Sequence, residues 1–280
     1  MDRYSPIGNS KSKNKNTVLF CEAKPPGHLT SVVHRYVKIW TDKLLDRDYR
    51  FHALPNACTY LIFDQLRPEV VGPTTLRGSS MEFNLGKQFH YLNIRFFPGT
   101  WQTDYSQPFV GQINQPYSGN LPLLAINQEL HGRPFKQQQE ILTQCVEELV
   151  NRKILVTSVL VMRILKKLDS INSVAEMAKA ARISPRHLQR CLKRETGFTP
   201  HDFLKIIRLQ RSLSGSDLDQ YFDQAHFIRS FVALQAERHQ NITTNLMSDI
   251  YNTRAHVPLV CSSIPNFNKG DERNECCRLV

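Results

Sequence analysis

Two helix starts stand eleven residues apart, at Ser173 and Ser184, and that spacing leaves room for only one short helix between them. Ser173-Val-Ala-Glu176 is a capping box, in which the serine oxygen accepts from the third backbone N–H and Glu176 reaches back to the first. Val174, Met177, Ala178 and Ala181 then recur at i, i+3, i+4 and i+7, a single apolar stripe. The stripe stops at Arg182-Ile183. Ser184-Pro185 opens a second helix, with serine as the cap and proline at the first helical position. The spacing therefore predicts two short helices joined by a tight turn.

The second helix has two distinct faces. Leu188, Cys191 and Leu192 form its apolar side, predicted to pack on the first helix. Arg186, Gln189, Arg190 and Lys193 share the opposite side at i, i+3, i+4 and i+7. Arginine bonds guanine O6/N7 bidentately and glutamine bonds adenine N6/N7, so this side has the chemistry of a base reader. A helix of this width fits the major groove. Arg186, Gln189 and Arg190 are the expected base contacts. Lys179, Lys193 and Arg194 are expected on phosphates, where they set register without reading sequence. The same pattern also suits the polar outer face of a plain helical bundle. Short helix, turn, caps and basic face occurring together favour duplex DNA.

Charge points the same way. The chain of 280 residues carries a net +11, and residues 151–213 hold fourteen basic and four acidic side chains, nearly the whole excess. A compact basic segment on a near-neutral remainder is the footprint of a polyanion binder. With 41% apolar and 22% charged residues, the composition is that of an ordinary globular protein. The seven cysteines include no C-x-x-C pair, and no apolar run reaches a membrane span or a signal core. The expectation is a cytoplasmic protein with free thiols, no membrane partner and no cofactor.

The organisation changes along the chain. Residues 1–17 are polar and lysine-dotted, and are expected to be a flexible tail. From 18 to 131, Pro, Gly and Asn punctuate strand-length apolar stretches at Phe51–Leu54, Cys58–Phe63, Val70–Val71 and Phe89–Phe97. Val32–Trp40 reads as a further strand or a short helix. The clearest strand alternates: Leu92, Ile94 and Phe96 point one way, Tyr91, Asn93 and Arg95 the other. The first set is expected in the core. The second either faces water, the expected case, or lines a ligand cavity. Residues 132–153 form an expected linker helix, 154–254 a helical DNA-binding domain and 255–280 a second tail. The fold class is α+β, a β-rich sensor-like domain followed by an all-α domain.

At these residues the chain resembles the AraC/XylS family of bacterial transcription regulators. His187-Leu-Gln-Arg190 with Lys193-Arg-Glu-Thr-Gly197 is similar to the first helix-turn-helix of that family, and Thr199-Pro200 with Phe203–Leu213 resembles its long linking helix. Tyr221–Phe231 resembles the recognition helix of a second unit, although only Ser214–Gln220 separates it from Leu213. Met247–Asn252 resembles a tail of some members. The resemblance covers about 155–231. It implies a double helix-turn-helix domain whose recognition helices enter successive major grooves, with Gln224, His226 and Arg229 as base readers in the second unit. More loosely, Ala53–Asn56, Ile94–Gly99 and Leu121–Leu124 resemble the family's sensor domains. The implied partners are double-stranded DNA, RNA polymerase, and a small-molecule effector or a second copy of the chain.

Two other readings stand beside this one. The β-rich half could hold an unrecognised enzymatic site, or the chain could be an interaction protein without productive DNA contact. There is no G-x-S-x-G, no P-loop and no G-x-G-x-x-G, and the ten histidines lack metal-ligand spacing. No catalytic set and no metal site is expected.

Overall fold

The computed structural model describes Tyr4 and residues 18–74, 81–102 and 115–213. The β-rich half comprises β1 (Val18–Ala23), β2 (Val33–Thr41), β3 (Arg50–Ala53), β4 (Tyr60–Asp64), β5 (Val71–Pro73), β6 (Met81–Asn84) and β7 (His90–Phe96). Helices follow: α1 (Leu123–Leu130), α2 (Phe135–Asn151), α3 (Val159–Lys166), α4 (Val174–Ala181), α5 (Pro185–Thr196) and α6 (Pro200–Leu213). A β-rich half followed by an all-α half is the expected α+β class. Val32–Trp40 resolves as a strand. β1, β6 and α1 lie where no element was expected.

Five strands form one antiparallel sheet in the order β1-β2-β7-β4-β5, and β3 pairs with β6 in a separate two-stranded ribbon. The central strand β7 is the one with the clearest alternation. Leu92, Ile94 and Phe96 are fully buried beside Tyr36, Leu61 and Phe63. α1 and α2 cover this face with Leu123, Leu130, Ile141, Leu142, Val146 and Leu149. The Tyr36 hydroxyl meets Thr143 Oγ1 of α2 at 2.9 Å. The helix expected as a linker is thus built into the core of the β-rich half. Its apolar stripe finds a sheet to cover, and that burial fixes it there.

The opposite face of β7 corrects the expectation of solvent. Tyr91 and Arg95 are each only 5% exposed, and Asn93 is half-buried. Tyr91 packs with Ile39 and Phe89 against Tyr49, Phe51 and Leu85 of the β3/β6 region. Arg95 pairs with Glu22 of β1 and bonds the Tyr60 hydroxyl. Alternation shows which residues share a face, but what covers that face arrives from segments remote in sequence.

A β-bulge between Val33 and Arg35 turns His34 inward, where it is 4% exposed and stands edge-on to Phe97, centroids 5.4 Å apart. Tyr4 comes from the segment expected to be a tail. It is buried, its backbone bonds His34 and its hydroxyl donates to the Asn56 carbonyl. Burial, then the charges of Arg95 and Arg35, push the His34 imidazole from 6.5 down to about 2. Burial and Lys38 push His90 down to about 4. Both folded values lie below the unfolded one, so unfolding takes up protons as the pH drops below about 6.5. Their contribution is complete above that pH and is lost toward about 4 for His90 and about 2 for His34. His34 costs at most about 1.4 kcal/mol of stability per pH unit inside its window, and His90, which solvent reaches more, costs less. Urea midpoints at pH 7.5, 6 and 5 should therefore fall steadily, and His34→Gln should flatten the slope. A slope that His34→Gln leaves unchanged would show that His34 takes its proton in the folded state.

The two halves share a core. Ala57, Cys58, Phe97 and Tyr4 pack in one cluster with Met162, Ile164, Met177, Leu188, Leu192, Phe203 and Ile207. Gln210 Nε2 of α6 donates to the Pro55 carbonyl at 2.8 Å. Among the described residues no helix is long and apolar enough to cross a membrane.

Candidate nucleic-acid interface

α3, α4 and α5 each begin on a serine. Ser158 Oγ accepts from Val161 N at 3.0 Å, Ser173 Oγ from Glu176 N at 3.1 Å and Ser184 Oγ from His187 N at 3.3 Å. Each bond satisfies an N–H that a helix start leaves open. The capping box differs from its expected form in one respect. Glu176 Oε2 accepts from Asn172 N at 2.6 Å, one residue before the cap. Ser173 is extended (φ −143°, ψ 161°), and the box closes on its predecessor.

The turn between α4 and α5 is sharp because Arg182 is left-handed, at φ 60° and ψ 42°. Ile183 N bonds Ala178 O, and Arg182 N bonds Lys179 O, each at 3.1 Å. These bonds close the last carbonyls of α4 and stop it. Pro185 stands at the start of α5, where its missing N–H costs nothing. Gly197, at φ 71°, ends that helix. The bend between two helices is therefore real, and a single continuous helix is excluded.

Leu188, Cys191, Leu192 and Thr196 of α5 are buried. Arg186, Gln189, Arg190, Lys193 and Arg194 are exposed, as is Lys179 on α4. The structure thus brings Arg186, Gln189 and Arg190 together on one solvent-facing strip. Among the described residues none of the three has a hydrogen-bond or ion-pair partner. Lys193 and Arg194 are engaged: Lys193 Nζ donates to Gly197 O at 2.8 Å, and Arg194 meets Glu195 at 3.3 Å. His187, not singled out in the sequence, is also exposed on the flank of the strip beside Arg190. Gln224, His226 and Arg229, with Met247–Asn252, lie outside the described residues.

The basic count of the segment overstates what faces outward. Arg211 is buried, and its guanidinium donates to Ile171 O at 3.1 Å and to the carbonyls of Leu168 and Asp169 at 3.4 Å. Arg208 donates to Asn172 O, and Arg163 to Ala181 O at 3.4 Å. These three arginines tie off carbonyls around the α3–α4 connection and the end of α4. They hold the turn in shape and are not part of the strip. Composition cannot separate them from the others, because most of their acceptors are main-chain atoms.

Among the described residues no group of three or more His, Cys, Asp or Glu side chains is placed to hold a metal ion. The described cysteines, Cys21, Cys58, Cys145 and Cys191, are buried, and burial pushes Cys58 and Cys145 up to about 12. Neither of those two is a reactive thiolate at neutral pH.

No curated protein and no solved structure matches the chain. Residues 164–205, from the last turn of α3 into α6, match the family described as bacterial regulatory helix-turn-helix proteins, AraC family. That span contains the capped pair, the left-handed turn and the exposed strip. The chain therefore carries an AraC-type helix-turn-helix at residues 164–205 behind a β-rich half, and that domain marks it as a DNA-binding transcription regulator.

Proposed function

We propose that α5 lies in the major groove, with Arg186, Gln189 and Arg190 reading base edges and Lys179, Lys193 and Arg194 on flanking phosphates. One observation carries this: among the described residues the strip is exposed and without an internal partner, while the opposite face of the same helix is buried. An exposed guanidinium without an internal partner keeps its five donors for a ligand. Lys193 and Arg194 have only exposed or partly exposed internal bonds to exchange for phosphate, so they suit contacts common to all sequences. Gln224, His226 and Arg229 are proposed for a second groove, on the family resemblance alone.

The β-rich half is proposed as the regulatory part. Tyr91 and Arg95 are enclosed, so any small-molecule effector they take would have to be reached through the sheet's second face. A second copy of the chain and RNA polymerase are the further proposed partners.

Selection of bound fragments from random duplex DNA tests the reading directly. The wild-type chain is expected to recover a defined site. Its affinity should fall steeply with salt, because neutralised phosphates release counterions. Arg190→Ala should cost about 1–3 kcal/mol at that site and relax one base pair. Lys193→Ala should weaken all duplexes alike and reduce the salt slope by about one. An Arg190→Ala protein with unchanged affinity and preference would show that the strip is not the reading face.

A further inference from the structure

The last turn of α5 rests on the β-rich half through a contact with almost no slack. Ser158 Oγ, which caps α3, also donates to Glu195 Oε2 of α5 at 2.6 Å. Beside this bond lies Gly99, in the loop that leaves β7, with φ +75°. A methyl group at Gly99 would sit 3.1 Å from Val161 Cγ2, 3.3 Å from Ser158 Cβ and 3.3 Å from Thr196 Cγ2. One glycine therefore touches the start of α3 and the end of α5 together.

The loop around Gly99 is itself braced. The Thr100 hydroxyl donates to Phe97 O at 2.8 Å. Val156 N bonds Thr100 O at 2.9 Å and Gln102 N bonds Ile154 O at 2.8 Å. Trp101 is buried against Phe96, the last residue of β7, with ring centroids 5.6 Å apart. A short chain of braced contacts thus runs from the central strand to the foot of α5. Arg186, Gln189 and Arg190 take no part in it, so it acts on the reading strip only by setting where the helix points.

We propose that Gly99, Ser158 and Glu195 are positioning residues. Together they set the pitch of α5 against the β-rich half, and they make the Gly99 loop the route by which a change in that half alters which bases are read. The proposal rests on the reading of α5 as the base-reading helix. Small displacements pass through such a junction because packed contacts of this kind do not deform continuously.

The full-length chain tests it, with base preference measured position by position on duplex libraries and thermal unfolding followed in parallel. Glu195→Gln keeps an oxygen for the Ser158 hydroxyl and should retain the wild-type preference. Glu195→Ala and Gly99→Ala should lower discrimination between the preferred site and random duplex by about fivefold or more, the usual scale of coupling between sites. The salt slope of Gly99→Ala should stay unchanged, because no phosphate contact is touched; Glu195→Ala also releases Arg194, so it is compared at matched salt with Glu195→Gln, which lacks the same charge. Where Gly99→Ala does not fold, Glu195→Ala still decides. A purely structural contact would lower the melting temperature and leave the preference of the folded molecules as it was, and that result overturns the proposal. Equal loss in Glu195→Gln and Glu195→Ala overturns it too. A wild-type chain with no base preference sinks the reading of α5 and this inference together, whereas a wild-type preference that survives Glu195→Ala sinks the inference alone.

Discussion

Phe203→Ala will cost the protein about 3–5 kcal/mol, the range for deleting a fully buried aromatic ring. Phe203 lies on α6 with no exposure, in the cluster where α3, α4, α5 and α6 converge. α3 and α4 have eight residues each and α5 has twelve. Helices this short are marginal in isolation and depend on packing of their apolar faces. Removing the ring therefore loosens the seat of α5 as well as α6. The urea midpoint should drop sharply, and duplex binding should fall with the fraction folded. Lys205→Ala, on the exposed side of the same helix, should stay within about half a kcal/mol of wild type. Equal midpoints for the two variants would show that α6 is not the support of the unit.

Glu22→Ala should destabilise the β-rich half by about 3 kcal/mol, at the lower end of the range for breaking a buried ion pair. The Arg95 side chain is 6% exposed, and that of Glu22 is 30% exposed. Desolvation works against the Arg95 charge, and the Glu22 carboxylate offsets it, with the Tyr60 hydroxyl as a neutral hydrogen-bond partner. Taking away Glu22 leaves a buried cation without its carboxylate. Taking away Arg95 leaves a carboxylate that water already reaches. Arg95→Met should therefore cost less than Glu22→Ala, and the double variant should recover much of the Glu22→Ala loss. Urea denaturation of the four proteins gives the cycle. If Glu22→Ala is the milder of the two single changes, the pair is not what holds Arg95 in place.

These two sites differ in how far sequence reasoning could reach them. Every signal that marked the helix-turn-helix acts within about four residues. Ser173 and Ser184 bond N–H groups three positions on, and the strip on α5 repeats at helical intervals. Such features were legible because local hydrogen bonding and periodicity produce them. In β7 the inward set, Leu92, Ile94 and Phe96, was legible for the same reason. Its other face was misread, because the cover for Tyr91 comes from residues 49–51 and 85, and the partner of Arg95 from Glu22. Arg211 shows the same limit from the opposite side. It counted toward a polyanion footprint, yet its acceptors lie some forty residues earlier, most of them main-chain carbonyls that carry no sequence mark.

By itself, then, the order of residues determined that a capped helix, a tight bend and a second capped helix with a cationic hydrogen-bonding side would form. Those outcomes follow from bonds between near neighbours along the chain. Only the tertiary structure decided that α2 joins the sheet, that Arg95 is enclosed, that three arginines serve the backbone, and that α5 ends against Gly99. Each of these depends on segments tens of residues apart meeting as water is excluded between them, and no local pattern specifies who meets whom.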